Sequence, residues 1–182
     1  NDPFHDELTM GIEDALAVED FNLVVGITRE NVTRRTQVLN AMIEANIRGV
    51  IVATSSENFA PLNELISRHV RAGVVDLTDE TPNHCSVSVD QVQGGYLGIE
   101  YLASLGHKKV LWLSGPPAHL QSNQRLLGVQ QAARKFDIEV STITSPGLDF
   151  ISGEQIAKDI VDLGPLPDSI FCCNDAQALG VM

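Results

Sequence analysis

Short apolar runs alternate along this chain with segments of helical period. The runs cover residues 22–27, 49–53, 73–77, 110–113 and 169–173. Continuous runs of this length suit strands buried on both faces, as in a parallel sheet. Between them, apolar side chains recur at about 3.6 residues, the helical period. Leu8, Ile12, Ala15 and Leu16 form one such stripe, and Val38, Leu39, Met42 and Ile43 a second. Others are Phe59, Leu62, Leu65 and Ile66; Tyr96, Ile99, Leu102 and Ala103; Leu126, Val129, Ala133 and Phe136; and Ile156 with Ile160. Buried strands alternating with amphipathic helices predict an α/β fold with mostly parallel, doubly wound sheets. Val87-Ser88-Val89-Asp90 alternates apolar and polar and reads as an edge strand. Gly106 suits a helix C-cap, and a hinge is expected near it, dividing the chain into lobes at 1–105 and 106–182.

Composition narrows the class. Hydrophobic residues make up 43% and charged residues 20%, a globular balance. No apolar run approaches the roughly 18 residues of a membrane span, so no membrane partner is expected. The opening Asn1–Glu7 stretch is acidic and polar, unlike a secretory signal, although a cleaved signal would leave the same start. A net charge of −12 repels a phosphate backbone, so this segment is not expected to grip nucleic acid itself. Cys85, Cys172 and Cys173 form no spaced disulfide framework, which fits a reducing cytoplasm. Adjacent on a strand, Cys172 and Cys173 point to opposite faces and cannot chelate one metal together. The chain starts on a loop and helix and stops in a helix, as a fragment truncated at both ends would.

Candidate chemistry follows from the strand ends. In open parallel sheets, ligands bind beyond the carboxyl ends of the strands. That rule selects the loops at 54–58, 76–79, 114–121, 146–149 and 174–175, which are rich in hydroxyls, amides and carboxylates. Such loops can satisfy a polyhydroxylated ligand. Arg125 stands in the first turn of the fifth helix, where the macrodipole disfavours a cation. It is either a solvated surface residue or a group held there by a ligand or carboxylate. Asp175 and Asp90 each precede a helix, and each could serve only as its N-cap.

Six segments together resemble the lactose/galactose-repressor (LacI/GalR) family. They are Asn1-Asp2-Pro3-Phe4-His5; Val89-Asp90 with Gly94-Gly95-Tyr96; Leu105-Gly106-His107-Lys108-Lys109-Val110; Leu113-Ser114-Gly115-Pro116; Arg125-Leu126-Leu127-Gly128; and Cys173-Asn174-Asp175 with Ala178-Leu179-Gly180. Their order and spacing span nearly the whole chain. The resemblance implies a periplasmic-binding-protein-like fold, two doubly wound lobes with an effector in the cleft between them. It also implies a preceding strand and helix-turn-helix headpiece that contacts operator DNA, both absent from this chain. By the same resemblance the first helix (about 6–19) and the last (176–182) are candidate homodimer surfaces.

Position by position, Arg125 matches the family's effector-binding arginine and Asp175 the acidic residue on the opposite wall. Both are expected partly buried. Phe4 and His5 match wall residues of the first loop, His119 and Gln121 ligand-adjacent positions, and Asp90 a position near the cleft. At Leu148 the family often carries a stacking aromatic; leucine cannot stack, and Phe150 lies two residues on. The function expected is ligand sensing and dimerisation in a cytoplasmic repressor, with a sugar-like effector and no cofactor or metal. The solute-binding protein of a sugar transporter is the alternative. An enzyme is disfavoured, because neither a Gly-x-Gly-x-x-Gly turn nor a Gly-x-Ser-x-Gly elbow occurs.

Overall fold

The computed structural model describes residues 3–28, 31–53, 60–76, 85–162 and 166–182. In chain order the elements are α1 (Pro3–Ala17), α2 (Val32–Glu44), β1 (Gly49–Ala53), α3 (Ala60–Ser67), β2 (Arg71–Val75), β3 (Cys85–Val87), α4 (Gln91–Ser104), β4 (Lys109–Ser114), α5 (Leu120–Phe136), β5 (Glu139–Thr144), α6 (Phe150–Asp162), β6 (Ser169–Cys172) and α7 (Asp175–Val181). All strand pairs are parallel, in two three-stranded sheets ordered β1-β2-β3 and β5-β4-β6.

The second sheet shows why the pattern folds this way. β4 is central, and its side chains alternate between two cores. Val110 and Trp112 join Ile99 of α4 with Val129 and Ala132 of α5. Leu111 and Leu113 face the other way, onto Ile156 and Ile160 of α6. From β4 the chain steps to β5 on one side, then crosses back to β6 on the other. Crossovers that run in opposite directions along the sheet put α5 and α6 on opposite faces, which is the doubly wound arrangement. Cys172 and Cys173 divide between these faces, as strand alternation requires. Burial pushes the Cys172 thiol up to about 11.

The first sheet is thinner. Its core is Leu39, Leu65 and Val74, and Leu120 at the start of α5 packs against it from the second half of the chain. β1 stands at the sheet edge, so Ile51 is half exposed rather than buried on both faces.

Five helices end on a residue in the left-handed region: Asp20, Asn46, His69, Gly106 and Asp137. After α4 the closure is complete: Gly106 N–H donates to Ala103 O at 3.0 Å and His107 N–H to Leu102 O at 3.2 Å. This is the paired bonding of a Schellman end, so Gly106 is the helix stop the sequence predicts.

Three differences from the sequence expectations have physical causes. Residues 22–27 form no strand: residues 21–28 join no ladder, and Val24, Val25 and Ile27 are exposed. Gly26 lies on Val38 of α2, so the run has a helix beneath it but no strand bonded alongside. An apolar run becomes a strand only when a neighbour accepts its ladder bonds. Conversely, β5 was not anticipated. Its Glu-Val-Ser-Thr-Ile-Thr sequence breaks the period of two, and only Val140 and Ile143 turn partly inward. Finally, α4 packs chiefly on α5, with the second sheet, although the expected lobe division falls after it.

Candidate ligand-binding site

A close crossing of two helices aims Arg125. A Cβ on Gly95 of α4 would fall onto the carbonyl oxygen of Arg125, and one on Gly128 of α5 onto the carbonyl oxygen of Val92. Only glycine lets the two backbones meet here. The crossing brings the start of α4 against the second turn of α5 and the residues after it.

Arg125 is half-buried at this crossing. Its Nε donates to Gln91 Oε1 at 2.6 Å, and its Nη1 donates to the carbonyl oxygen of Cys173 at the end of β6. It is therefore not the solvated surface residue of the alternative reading. Internal acceptors hold it, and because α5 begins at Leu120 it stands in the second turn of the helix, not in the first turn that the sequence predicts.

Around it the loops are fixed by buried polar side chains. Gln177 is fully buried, and its Nε2 donates to Gly147 O at 2.9 Å and Ser114 O at 3.3 Å, tying together the loops that follow β4 and β5. Ser122 Oγ accepts from Gly115 N–H at 2.8 Å and lies 3.2 Å from Ser114 Oγ. Asn174 caps α7 by accepting from Gln177 N–H at 3.0 Å, and its Nδ2 donates to Leu148 O at 2.8 Å.

These bonds place most of the predicted residues on neighbouring strand ends. Asp175 follows the Asn174 cap, so it is not the N-cap. It is exposed, not partly buried as expected, because the capping side chain turns inward one residue earlier. Leu148 is partly buried against the second-sheet core, whereas Phe150 stands half exposed, so an aromatic does not take its place there. His119 caps α5, its Nδ1 accepting from Ser122 N–H at 3.2 Å. Gln121 is buried, and its Nε2 reaches to the first sheet, donating to Asp76 O at 2.8 Å. Asp90 is exposed and caps α4, its Oδ1 accepting from Gln93 N–H at 2.8 Å. Phe4 and His5 are exposed on α1, ring against ring at 5.4 Å, and α1 packs on no other helix or strand among the described residues.

Sequence reasoning missed Gln91 as a site residue. Gln91 Nε2 donates to Asp76 Oδ1 at 2.6 Å while its Oε1 serves Arg125. Asp76 was legible as a strand-end residue, but Gln91 gave no signal beyond following a capping aspartate. A separate cavity of about 410 Å³ lies between α5 and β5, lined in part by Gln130, Arg134 and Asp137. None of the predicted residues lines it.

Comparison with known proteins bears on this arrangement. The family described as periplasmic binding proteins and sugar binding domain of the LacI family matches residues 1–182. This chain belongs to that family. Among relatives of this LacI-type chain, the ribose operon repressor of Bacillus subtilis (strain 168) is 27% identical over 184 residues, covering 99% of this chain and 54% of that protein. A sugar-binding transcriptional regulator (LacI family) from Enterococcus faecalis superposes with a TM-score of 0.82 at 28% identity, covering 98% of this chain and 64% of that one. The Cra transcriptional dual regulator of Pseudomonas putida, solved with fructose 1-phosphate, superposes at 0.89 and 18% identity, covering 100% and 68%. The last likeness bears on the fold alone, which is periplasmic-binding-protein-like. The chain spans about half the length of the curated relatives it matches.

Proposed function

We propose that this chain is the ligand-sensing and dimerisation part of a bacterial DNA-binding repressor. It takes a small effector, a sugar or sugar derivative, in the cleft between its two lobes. The observation that carries the reading is Arg125. Its Nε and Nη1 are anchored to Gln91 and Cys173, so the guanidinium is held from two sides beside the strand ends. A fork of donors fixed in advance suits a ligand dense in acceptor oxygens. Asp175, exposed at the neighbouring strand end, supplies an acceptor for ligand hydroxyls. His119, Gln121, Asp90 and Leu148 border the same strand ends, and Phe4 and His5 are assigned to the cleft by the family resemblance alone, since α1 packs on no other element among the described residues.

Operator contact belongs to a headpiece outside this chain, and the working form is a cytoplasmic homodimer with no catalytic turnover. No helix among the described residues is long and apolar enough to cross a membrane. The ribose operon repressor and the Enterococcus faecalis regulator named above are transcriptional regulators, which favours this reading over a transporter's solute-binding protein. Mass spectrometry of metabolites retained by the purified protein tests it directly. The expected result is a stoichiometric sugar-like compound whose titration into Arg125→Ala is weaker by about 1.5–3 kcal/mol, the worth of a charged hydrogen bond. Equal affinity in wild type and variant would remove Arg125 from the site.

A further inference from the structure

We propose that Gln91 is a positioning residue that ties the aim of Arg125 to the place of the first lobe. The proposal rests on the effector-site reading above. One side chain bridges two charges: Oε1 accepts from Arg125 Nε at 2.6 Å, and Nε2 donates to Asp76 Oδ1 at 2.6 Å. The amide can do this in one orientation only. Turned over, it would set its NH₂ against the guanidinium and its carbonyl against the carboxylate. Gln91 is 6% exposed, so neither end can exchange its partner for bulk water.

The two ends sit in different parts of the molecule. Arg125 belongs to α5 and reaches β6, within the second sheet. Asp76 directly follows β2 of the first sheet, in a left-handed conformation (φ 62°) that is uncommon for non-glycine residues. It is held three ways: its N–H donates to Val87 O at 2.8 Å, its carbonyl accepts from Gln121 Nε2, and its carboxylate accepts from Gln91. Two glutamines, at the starts of α4 and α5, therefore clasp one residue of the first sheet. Any displacement of that sheet that carries Asp76 away breaks the bond to Gln91. The freed amide then no longer fixes the Nε edge of the guanidinium, and Arg125 can re-aim. In the other direction, a ligand that holds Arg125 in its present pose favours the arrangement in which Asp76 is clasped.

The test uses the intact protein with no ligand added. The Arg125 Nε–H is followed by nitrogen-15 NMR, assigned with Arg125→Lys. The distance between the lobes is read from spin labels on exposed Cys85 and on Gln131→Cys. Gln91→Met removes both polar ends; it should speed exchange of the Arg125 Nε–H by on the order of tenfold and broaden the distance distribution. Gln91→Glu keeps the acceptor for Arg125 but sets a carboxylate against Asp76. It should leave the Nε–H protected and broaden the distribution all the same. That split is not expected of a residue that only fills space. A Gln91→Glu distribution as narrow as wild type overturns the proposal, as does an Arg125 Nε–H still protected in Gln91→Met. Should Gln91→Met fail to fold, the Gln91→Glu pair of measurements decides alone. A wild-type protein that retains no metabolite, yet passes both measurements, overturns the effector reading and leaves this joint standing.

Discussion

Arg125 has an observed structural duty beside the ligand duty proposed for it, and together they predict two losses. As a ligand group alone, its removal would leave folding nearly untouched. Its bonds to Gln91 and to the Cys173 carbonyl change that expectation. Arg125→Ala strands the buried Gln91 carbonyl, and an unsatisfied buried acceptor costs about 1–3 kcal/mol. Denaturant titration should show that loss in the ligand-free protein, separately from any loss of affinity. Two carboxylates accept backbone N–H bonds and favour the folded state above the acid range. The Ser152 N–H, then the Ser152 hydroxyl, hold Asp149 below its ordinary pKa; the N–H groups of Lys108 and then Lys109 do the same for Asp168. The Asp168 Oδ2 bonds to those two N–H groups are 2.8 Å each. Both folded-state values lie below the unfolded ones. Their stabilisation is therefore present above about pH 4 and is lost as pH falls through the folded values. In Asp168→Asn the drop in melting temperature between about pH 6 and about pH 3 should be smaller than in wild type. An unchanged drop would show that these bonds do not contribute to it.

At the scale of elements, the α4–α5 crossing is the feature on which the site depends. Gly128 sits where a Cβ would overlap Val92 O and press on Tyr96 N. Gly128→Ala must push the helices apart, at a cost of about 1–3 kcal/mol for overpacking. It also moves the second turn of α5, so Arg125 should lose its bond to Gln91. Thermal melts measure the first effect, and faster exchange of the Arg125 Nε–H the second. Full stability in Gly128→Ala would mean that the crossing relaxes without cost. The same scale explains the elements that sequence misjudged. Residues 22–27 have the composition of a strand, but composition does not supply a hydrogen-bonded neighbour. β5 is an edge strand with a single partner, so its faces need not alternate cleanly.

At the scale of the whole molecule, the two sheets meet among the described residues through a small apolar contact and a polar clasp. Leu120 packs into the first core, and Gln91 and Gln121 clasp Asp76. A thin junction of this kind permits relative motion of the lobes. An effector that shifts the lobes must bind one arrangement better than another. The expected coupling to operator affinity is about 1–3 kcal/mol per effector site. DNA binding of the intact protein, with and without the retained metabolite at saturation, measures it; no response would sink the sensing reading. The intact protein should also sediment as a dimer at micromolar concentration, since two-fold operators call for two-fold proteins.

The periodicities alone determined the class of fold. Alternation of apolar runs with amphipathic stripes pointed to parallel sheets wound by helices, and four of the five runs became strands, because backbone ladders and apolar faces leave few other ways to bury that pattern. Local chemistry fixed the stop at Gly106, where a left-handed residue needs no Cβ. The strand-end rule marked the loops holding Asp76, Leu148 and Asp175. Tertiary structure decided the rest. It made Asn174 rather than Asp175 the cap, set α4 on α5, and left residues 22–27 without a ladder. It also joined Asp76, Gln91 and Arg125, residues 15 and 34 positions apart, into one polar chain. Helical and strand periods report which face of an element is apolar. They carry no record of which polar side chains meet across elements, because that depends on how closely two backbones approach, and here two glycines set that distance.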